Sequence, residues 1–215
     1  YDPINDFAPI SLVATSPQVL IVHPSVKATN VAELIALAKA APGTLNFGSG
    51  GKGIQSHISG EMFKSAAGVD IVHVPYKGGG QAVGDLVAGQ IQLVFADMVP
   101  AIPHIRAGRV RPLAVTGEVR SQAIPTIPTM IEAGVKDYRA ELWWAILAPK
   151  GTSADVVGRL NMELGRIVQN PEVQAKYTEL GVAAIHGTPA QVREFIKARS
   201  AEVGRILKSV GIEPE

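Results

Sequence analysis

The sequence predicts an α/β fold in which helices cover both faces of a mostly parallel sheet. Short, nearly all-apolar runs alternate with segments of helical periodicity through the first half of the 215-residue chain. Two of these runs lead into glycine-rich turns, 48–53 and 78–80, and each turn opens an apolar-periodic helix. Apolar residues make up 47% of the chain, which is enough for a sizeable core in one large domain or two small ones.

The first half of the chain supplies most of the predicted strands. Asn30 and Glu33 match a capping box, whose side chains satisfy backbone N–H groups of the first helical turn. They predict a helix that runs to about Ala41 and ends at Pro42 and Gly43. The remaining elements are extended segments within 10–23 that Pro17 separates, strand 44–47, helix 54–67, strand 71–75, helix 81–88, strand 91–95, a helix near 98–107 and strand 110–116.

The chain changes character after Thr116. Residues 121–139 are rich in loop-forming residues. The predicted elements that follow are strand 141–148 with Trp143 and Trp144 on opposite faces, helices that begin at Thr152, Asn170 and Thr188, and a short strand within 183–186. Three amphipathic helices with so little strand need a surface to cover. The body of residues 1–148, a sheet upstream of the chain or a second copy could each supply that surface.

The two glycine-rich turns predict a site for an anion, either a carboxylate or a phosphate. Strand, glycine turn and helix is the arrangement that directs bare backbone N–H groups and the positive end of a helix at a ligand. Glycine permits both close approach and positive φ. Right-handed crossovers would place both turns at the carboxyl edge of the sheet, where open α/β sheets bind ligands.

Polar side chains near these turns have two interpretations each. Asp97 follows strand 91–95 at the same predicted edge, where it either receives a ligand amine or hydroxyl or caps the next helix. His57 and His73 are candidates for acid–base chemistry, but the alternative reading makes His57 a residue that fixes the first turn of its helix and His73 a core histidine with its hydrogen bonds satisfied. Ser49 is expected to donate a hydrogen bond to a bound oxygen.

Two enzymatic alternatives remain open from the residues. Gly48, Gly50 and Gly53 match the G-x-G-x-x-G pattern of dinucleotide-binding folds, and Lys77 could meet the ribose phosphate of NADP. However, the acidic residue expected after the next strand is absent, since Asp70 precedes that strand. A serine hydrolase is the other alternative, because serines lie near His57. The G-x-S-x-G elbow of such enzymes does not occur in the sequence.

Composition excludes several other classes of protein. The 20 basic and 19 acidic residues leave a net charge of +1, which does not suit a nucleic-acid partner. The chain has no cysteine and no histidine pair at i, i+4, so we expect neither disulfides nor a metal site. We also expect no cofactor. No apolar run is long enough to span a bilayer. The chain begins without Met or a signal-peptide pattern, which predicts a processed or trimmed product.

Several segments, taken together and in order, resemble the Bug-type substrate-binding proteins of tripartite tricarboxylate transporters. They are 6–13, 48–51 with His57, 73–78, 113–116, 127–129, 132–134 and 148–152. The resemblance implies a non-enzymatic periplasmic protein with the type II periplasmic-binding-protein fold. Such proteins have two lobes that close around a small carboxylate or dicarboxylate and deliver it to membrane transporter subunits.

The resemblance also implies a division of the chain. Residues 1–9 would be a linker from a missing first lobe, 10–120 the second lobe, 121–148 the crossover and hinge region, and 149–215 the C-terminal helices of the first, incomplete lobe. Family members begin well upstream with a loop that carries the first lobe's half of the site. We therefore expect a truncated form, whose uncovered C-terminal helices could pair in a homodimer.

On positions that match the family, the turn 49–55 and the loop 76–80 would be the second lobe's share of the ligand site. With Asp97, which its place after strand 91–95 puts at the same edge, the predicted ligand-binding residues are Ser49, Gly50, Gly51, Gly53, Ile54, Gln55, Tyr76, Lys77, Gly78, Gly79 and Asp97. Gln55 stands where serine is common in the family, which leaves the identity of the carboxylate open.

Overall fold

The computed structural model describes residues 2, 4–209 and 211 and has the α/β architecture that the sequence predicts. The strands are β1 Phe7–Val22, β2 Asn46–Ser49, β3 Val72–Pro75, β4 Leu93–Asp97, β5 Arg111–Val115, β6 Glu141–Pro149 and β7 Ala183–Ala184. The helices are α1 Val31–Ala40, α2 Gln55–Ala67, α3 Gly79–Val87, α4 Met98–Arg106, α5 Ala154–Gln169, α6 Pro171–Glu179 and α7 Pro189–Ser209. No helix in the described part of the chain has both the length and the apolar character needed to cross a membrane.

The main sheet has the strand order β3-β2-β4-β1-β5. β2 pairs in parallel with β3 and β4, whereas β1 runs antiparallel to both β4 and β5. Four strands therefore share one direction, and the antiparallel β1 between them is the exception to the predicted parallel sheet. The carboxyl ends of β2, β3 and β4, at Ser49, Pro75 and Asp97, consequently lie at one edge.

β1 is one continuous strand shared by two groups of strands, whereas the sequence predicted segments broken at Pro17. Residues 7–17 pair with β6, and residues 18–22 pair with β4 and β5. Pro17 is tolerated because it stands where the pairing changes from one group to the other, and proline cannot donate to a ladder within a central strand. The next residue, Gln18, donates its backbone N–H to Thr116 Oγ1 at 2.8 Å.

Two helix-covered faces form the core, as predicted. On one face, Leu34 and Phe63 pack with Phe95 of β4. On the other face, Leu86 and Ile102 pack in a second cluster, which contains the β4 residues directly before and after Phe95. Successive side chains of a strand enter the two apolar clusters in turn, which is why the strands read as continuous apolar runs.

The C-terminal helices pack on the outer half of β1 and on β6, so the body of the chain supplies their surface. Asn161 of α5 donates to the carbonyl of Ile10 at 2.7 Å. Trp143 of β6 meets Phe195 of α7 edge-on, with ring centroids 5.3 Å apart. The neighbouring Trp144 is 42% exposed, which confirms that the two tryptophans face opposite ways.

Three element boundaries differ from the predictions, and the first two of them matter for the site. Pairing of β2 with β3 extends to Ser49, so Gly48 and Ser49 belong to the strand rather than to the turn. α3 begins at Gly79 instead of residue 81, which makes the last two glycines of the second turn helical. At α5 the N-cap is Ser153 and not Thr152, whose hydroxyl donates to the carbonyl of Pro149 instead.

The capping box at the start of α1 is confirmed, and its loss should be measurable. Asn30 Oδ1 accepts the backbone N–H of Glu33 at 2.9 Å. We expect Asn30→Ala to lower the free energy of unfolding by about 1 kcal/mol in chemical denaturation. Ser153→Ala is the matched control, because the Ser153 N-cap makes no side-chain cap hydrogen bond. An equal loss in both variants would contradict this assignment.

Candidate ligand-binding site

A cavity of about 130 Å³ opens at the carboxyl edge of the sheet. It is bounded by the first glycine turn, the N-termini of α2 and α3, the end of β4 and one residue of β6. The lining residues are Gly50, Ile54, Gln55, Ser56, Gly79, Val94, Phe95, Ala96, Asp97 and Leu142. The two glycine turns and Asp97 therefore lie together, as the strand directions predicted.

The two glycine turns touch each other at Gly50. A Cβ atom added to Gly50 would lie 2.6 Å from the backbone N of Gly79 and 3.0 Å from the carbonyl carbon of Gly78. No side chain fits at that separation, since the neighbouring atoms belong to the backbone. Glycine at position 50 thus sets the distance between the N-termini of α2 and α3.

Three helices present uncapped N-termini at this edge. The N-cap residues of α2, α3 and α4 are Ile54, Gly78 and Asp97, and none makes a side-chain cap hydrogen bond. Within the described residues, no acceptor bonds the first two amides of α2 and α3, at Gln55, Ser56, Gly79 and Gly80. Unsatisfied N–H groups and the positive end of the helix dipole together favour a negatively charged ligand.

The amides of the first glycine turn are not bare, contrary to the expectation from sequence. Gly50 N donates to Ser56 Oγ at 3.2 Å, Gly51 N donates to Ser49 Oγ at 3.2 Å, and Gly53 N donates to His57 Nδ1 at 3.0 Å. The protein's own side chains therefore preform this turn. The groups left to receive an anion are the helix N-termini behind it.

Ser49 lies beneath the turn and does not line the cavity. Its side chain is fully buried, its hydroxyl lies 2.6 Å from His73 Nε2, and it also contacts the Gly51 carbonyl oxygen at 2.9 Å. A buried hydroxyl committed to internal partners is not an accessible nucleophile, so the geometry does not favour Ser49 as the nucleophile of a serine hydrolase. Burial, aided by nearby positive charges, lowers the pKa of His73 to about 4, and burial also lowers the pKa of His57.

Asp97 is held in place by a buried polar network that the sequence did not reveal. Gln18 is fully buried, and its Nε2 donates to Asp97 Oδ1 at 2.9 Å. Gln18 Oε1 in turn accepts from Ser59 Oγ at 2.6 Å. The signal that could have indicated Gln18 is a polar residue at the start of an otherwise apolar segment. Asp97 does stand at the N-cap of α4, but its carboxylate is bonded to Gln18 instead of the helix.

The remaining predicted residues surround the cavity without lining it. Tyr76 packs against the α3 side of the core, where burial and Asp85 raise the pKa of its hydroxyl to about 12. Lys77 is exposed, and its backbone N–H donates to Gln81 Oε1 at 3.2 Å. Gly51, Gly53 and Gly78 have φ angles of 147°, 73° and 155°, which shape the two turns. The lining residues that the sequence did not indicate are Ser56, Val94, Phe95, Ala96 and Leu142.

The G-x-G-x-x-G pattern has a packing explanation. Gly48 lies within β2, and a Cβ there would come 3.1 Å from the Cβ of Ala82 and still closer to the side chain of Ile91. Its lack of a side chain therefore serves the fit of α3 against the sheet. In the described part of the chain, no cluster of three or more acidic or histidine side chains is placed to hold a metal ion.

Comparisons with known proteins agree with this architecture. The family model described as the tripartite tricarboxylate transporter family receptor matches residues 1–212. The protein BugT of Bordetella pertussis is 34% identical over 211 residues, which are 98% of this chain and 65% of BugT. The chain thus spans about two thirds of the length of this relative.

Solved structures show the same fold. Rpa4515 of R. palustris, solved with adipate, is 34% identical and superposes with a TM-score of 0.95 over 100% of this chain and 72% of its own. The periplasmic binding protein BugD is 29% identical, with a TM-score of 0.92 over 100% of this chain and 73% of its own. The chain therefore has the α/β fold of periplasmic binding proteins, and it belongs to the receptor family of the tripartite tricarboxylate transporters.

Proposed function

We propose that this chain is the ligand-binding part of a receptor that captures a small carboxylate or dicarboxylate for a tripartite tricarboxylate transporter. The observation that carries the proposal is the pair of uncapped helix N-termini, α2 and α3, that meet at Gly50 and Gly79 over a cavity. Family membership and the adipate bound by Rpa4515 support the same class of ligand.

The chemistry of the site suits one carboxylate group better than two. Each helix N-terminus contributes about 0.3–1 kcal/mol toward an anion in an exposed setting. Asp97, which also lines the cavity, repels a second negative charge and accepts a hydrogen bond instead. The bound group is thus a carboxylate at the helices, with a hydroxyl, ammonium or protonated carboxyl directed at Asp97.

The receptor would work in the periplasm, where it would pass its ligand to the membrane subunits of the transporter. The division into lobes, with a boundary near 149–151, stays a prediction. So does the homodimer: α5 exposes Val156, Leu160 and Ile167, and sedimentation at several protein concentrations would test self-association.

Calorimetry against a defined panel tests the function. The panel contains adipate, succinate, L-malate and acetate, with dimethyl adipate as the neutral control and NADP as the competing ligand class. We expect the carboxylates to bind at least about tenfold more tightly than the diester, a difference of about 1.4 kcal/mol. Binding of NADP without a response to any carboxylate would overturn the proposal.

A further inference from the structure

Two stacked histidine rings support the first glycine turn from inside the protein. His57 of α2 and His73 of β3 have ring centroids 3.8 Å apart and an interplanar angle of 17°. Phe47 closes the stack, 4.9 Å from the ring of His73. Neither histidine lines the cavity, so the binding site itself does not account for the pair.

His57 bonds to the turn in a way that defines where its proton sits. Its Nδ1 accepts the backbone N–H of Gly53 at 3.0 Å, so Nδ1 carries no hydrogen. The proton of the neutral ring is therefore on Nε2, which lies 3.8 Å from Glu61 Oε1. Protonation of Nδ1 would set two donors against each other at Gly53 and break this bond.

His73 supports the other end of the same turn. Its Nε2 lies 2.6 Å from Ser49 Oγ, and Ser49 Oγ accepts the backbone N–H of Gly51 at 3.2 Å. The two rings thus reach, directly or through one hydroxyl, two of the three amides that the protein satisfies in the turn.

We infer that His57 is a positioning residue: the neutral His57–His73 pair holds the glycine turn in its binding conformation, and proton uptake by His57 releases the turn and weakens carboxylate binding. The inference about binding rests on the proposed function, whereas the inference about the turn does not. The turn carries Gly50, which touches Gly79, so its release would also loosen the contact between the helix N-termini.

The electrostatics of the pair oppose its protonation. Burial lowers the pKa of both rings, and Lys52 of the turn and Lys64 of α2 lower both further. Glu61 raises the pKa of His57, but Lys64 also binds Glu61, at 3.1 Å. Since the folded state holds these pKa values below the ordinary value of about 6.5, the unfolded chain takes up protons first. The stability that the neutral rings contribute is therefore present above about pH 6.5 and declines as the pH falls toward about 4, the pKa of His73.

The turn can be tested without a ligand by NMR of the histidine nitrogens and the Gly53 amide. We expect the Nε2–H tautomer of His57 at neutral pH, and a Gly53 amide shift that follows the titration of His57. An Nδ1–H tautomer, or a Gly53 shift that does not move with His57, would overturn the inference. This NMR experiment tests the inference about the turn even if the protein binds no carboxylate.

Two substitutions separate positioning from simple loss of structure. His57→Asn places an amide oxygen near the former Nδ1 and does not titrate, whereas His57→Phe keeps the stacked ring and removes the acceptor. We expect adipate affinity to fall more steeply in the wild type than in His57→Asn as the pH is lowered from 7 to 5, since the profile of His57→Asn reports the titration of adipate itself, and we expect affinity to be weak at both pH values in His57→Phe. Affinity that rises at low pH would contradict the inference, because it would show His57 acting as a cation for the ligand. A wild-type pH profile in His57→Asn would contradict it as well.

Discussion

Gly50→Ala is expected to weaken carboxylate binding by about tenfold or more, because the added Cβ cannot fit between the two turns. It would lie 2.6 Å from the backbone N of Gly79 and 2.8 Å from Ile54 Cδ1, so the N-terminus of α3 or the turn must move. Displacing a helix N-terminus removes a directed set of N–H donors, and a tenfold loss corresponds to about 1.4 kcal/mol. Overpacking should also lower the free energy of unfolding by about 1–3 kcal/mol.

Gly84→Ala is the control for this substitution. Gly84 lies in the middle of α3, and a Cβ there meets nothing within 4 Å. Alanine should therefore stabilise the helix by about 0.5–1 kcal/mol and leave binding unchanged. Calorimetry and denaturation of both variants check the prediction. Equal affinity for adipate in wild type and Gly50→Ala would refute the assigned role of the glycine contact.

Phe47→Ala is expected to cost about 3–5 kcal/mol of the free energy of unfolding, because removal of a fully buried ring leaves a cavity that the surrounding core fills only in part. Phe47 lies in β2 and belongs to the larger core cluster. A Cβ added to Gly60 of α2 would come within 2.6 Å of the Phe47 ring, so the helix already approaches the ring as closely as glycine allows. With typical total stabilities of about 5–15 kcal/mol, this loss would leave little margin.

The same substitution removes the base of the His57–His73 stack, so binding should fall along with stability. Urea denaturation followed by circular dichroism measures the loss of stability. Val119→Ala is the control, since Val119 is 76% exposed and its truncation should change stability by no more than about 0.5 kcal/mol. A loss below about 1 kcal/mol in Phe47→Ala would mean that the core around β2 relaxes to fill the space.

The edge of the sheet could be predicted because it follows from local patterns. Apolar runs, the capping box at Asn30 and the glycine turns are short-range signals, and strand direction then places Ser49, Pro75 and Asp97 at one edge. The opposite orientations of Trp143 and Trp144 follow from the two-residue period of a strand. The resemblance to a known family, carried by several segments in order, indicated the class of ligand.

Other features depend on residues that are distant in the sequence. Leu142 lines the cavity because β6 pairs with β1, and Gln18 is bonded to Asp97 because β1 lies next to β4. The amides of Gly50, Gly51 and Gly53 read as bare from sequence, yet each has a side-chain acceptor. A glycine pattern shows that an amide can approach a ligand, but it does not show which neighbouring oxygen or nitrogen reaches that amide first.

The sequence by itself determined the α/β class, the edge at which the candidate site lies and the helices whose N-termini face that edge, because periodicity, turn chemistry and helix direction are local properties. Only the tertiary structure decided which N–H groups remain for a ligand and how far apart the helix N-termini stand. Those quantities depend on the contact between Gly50 and Gly79 and on side chains that several elements bring together. Packing between elements, and not the propensity of any one of them, sets such distances.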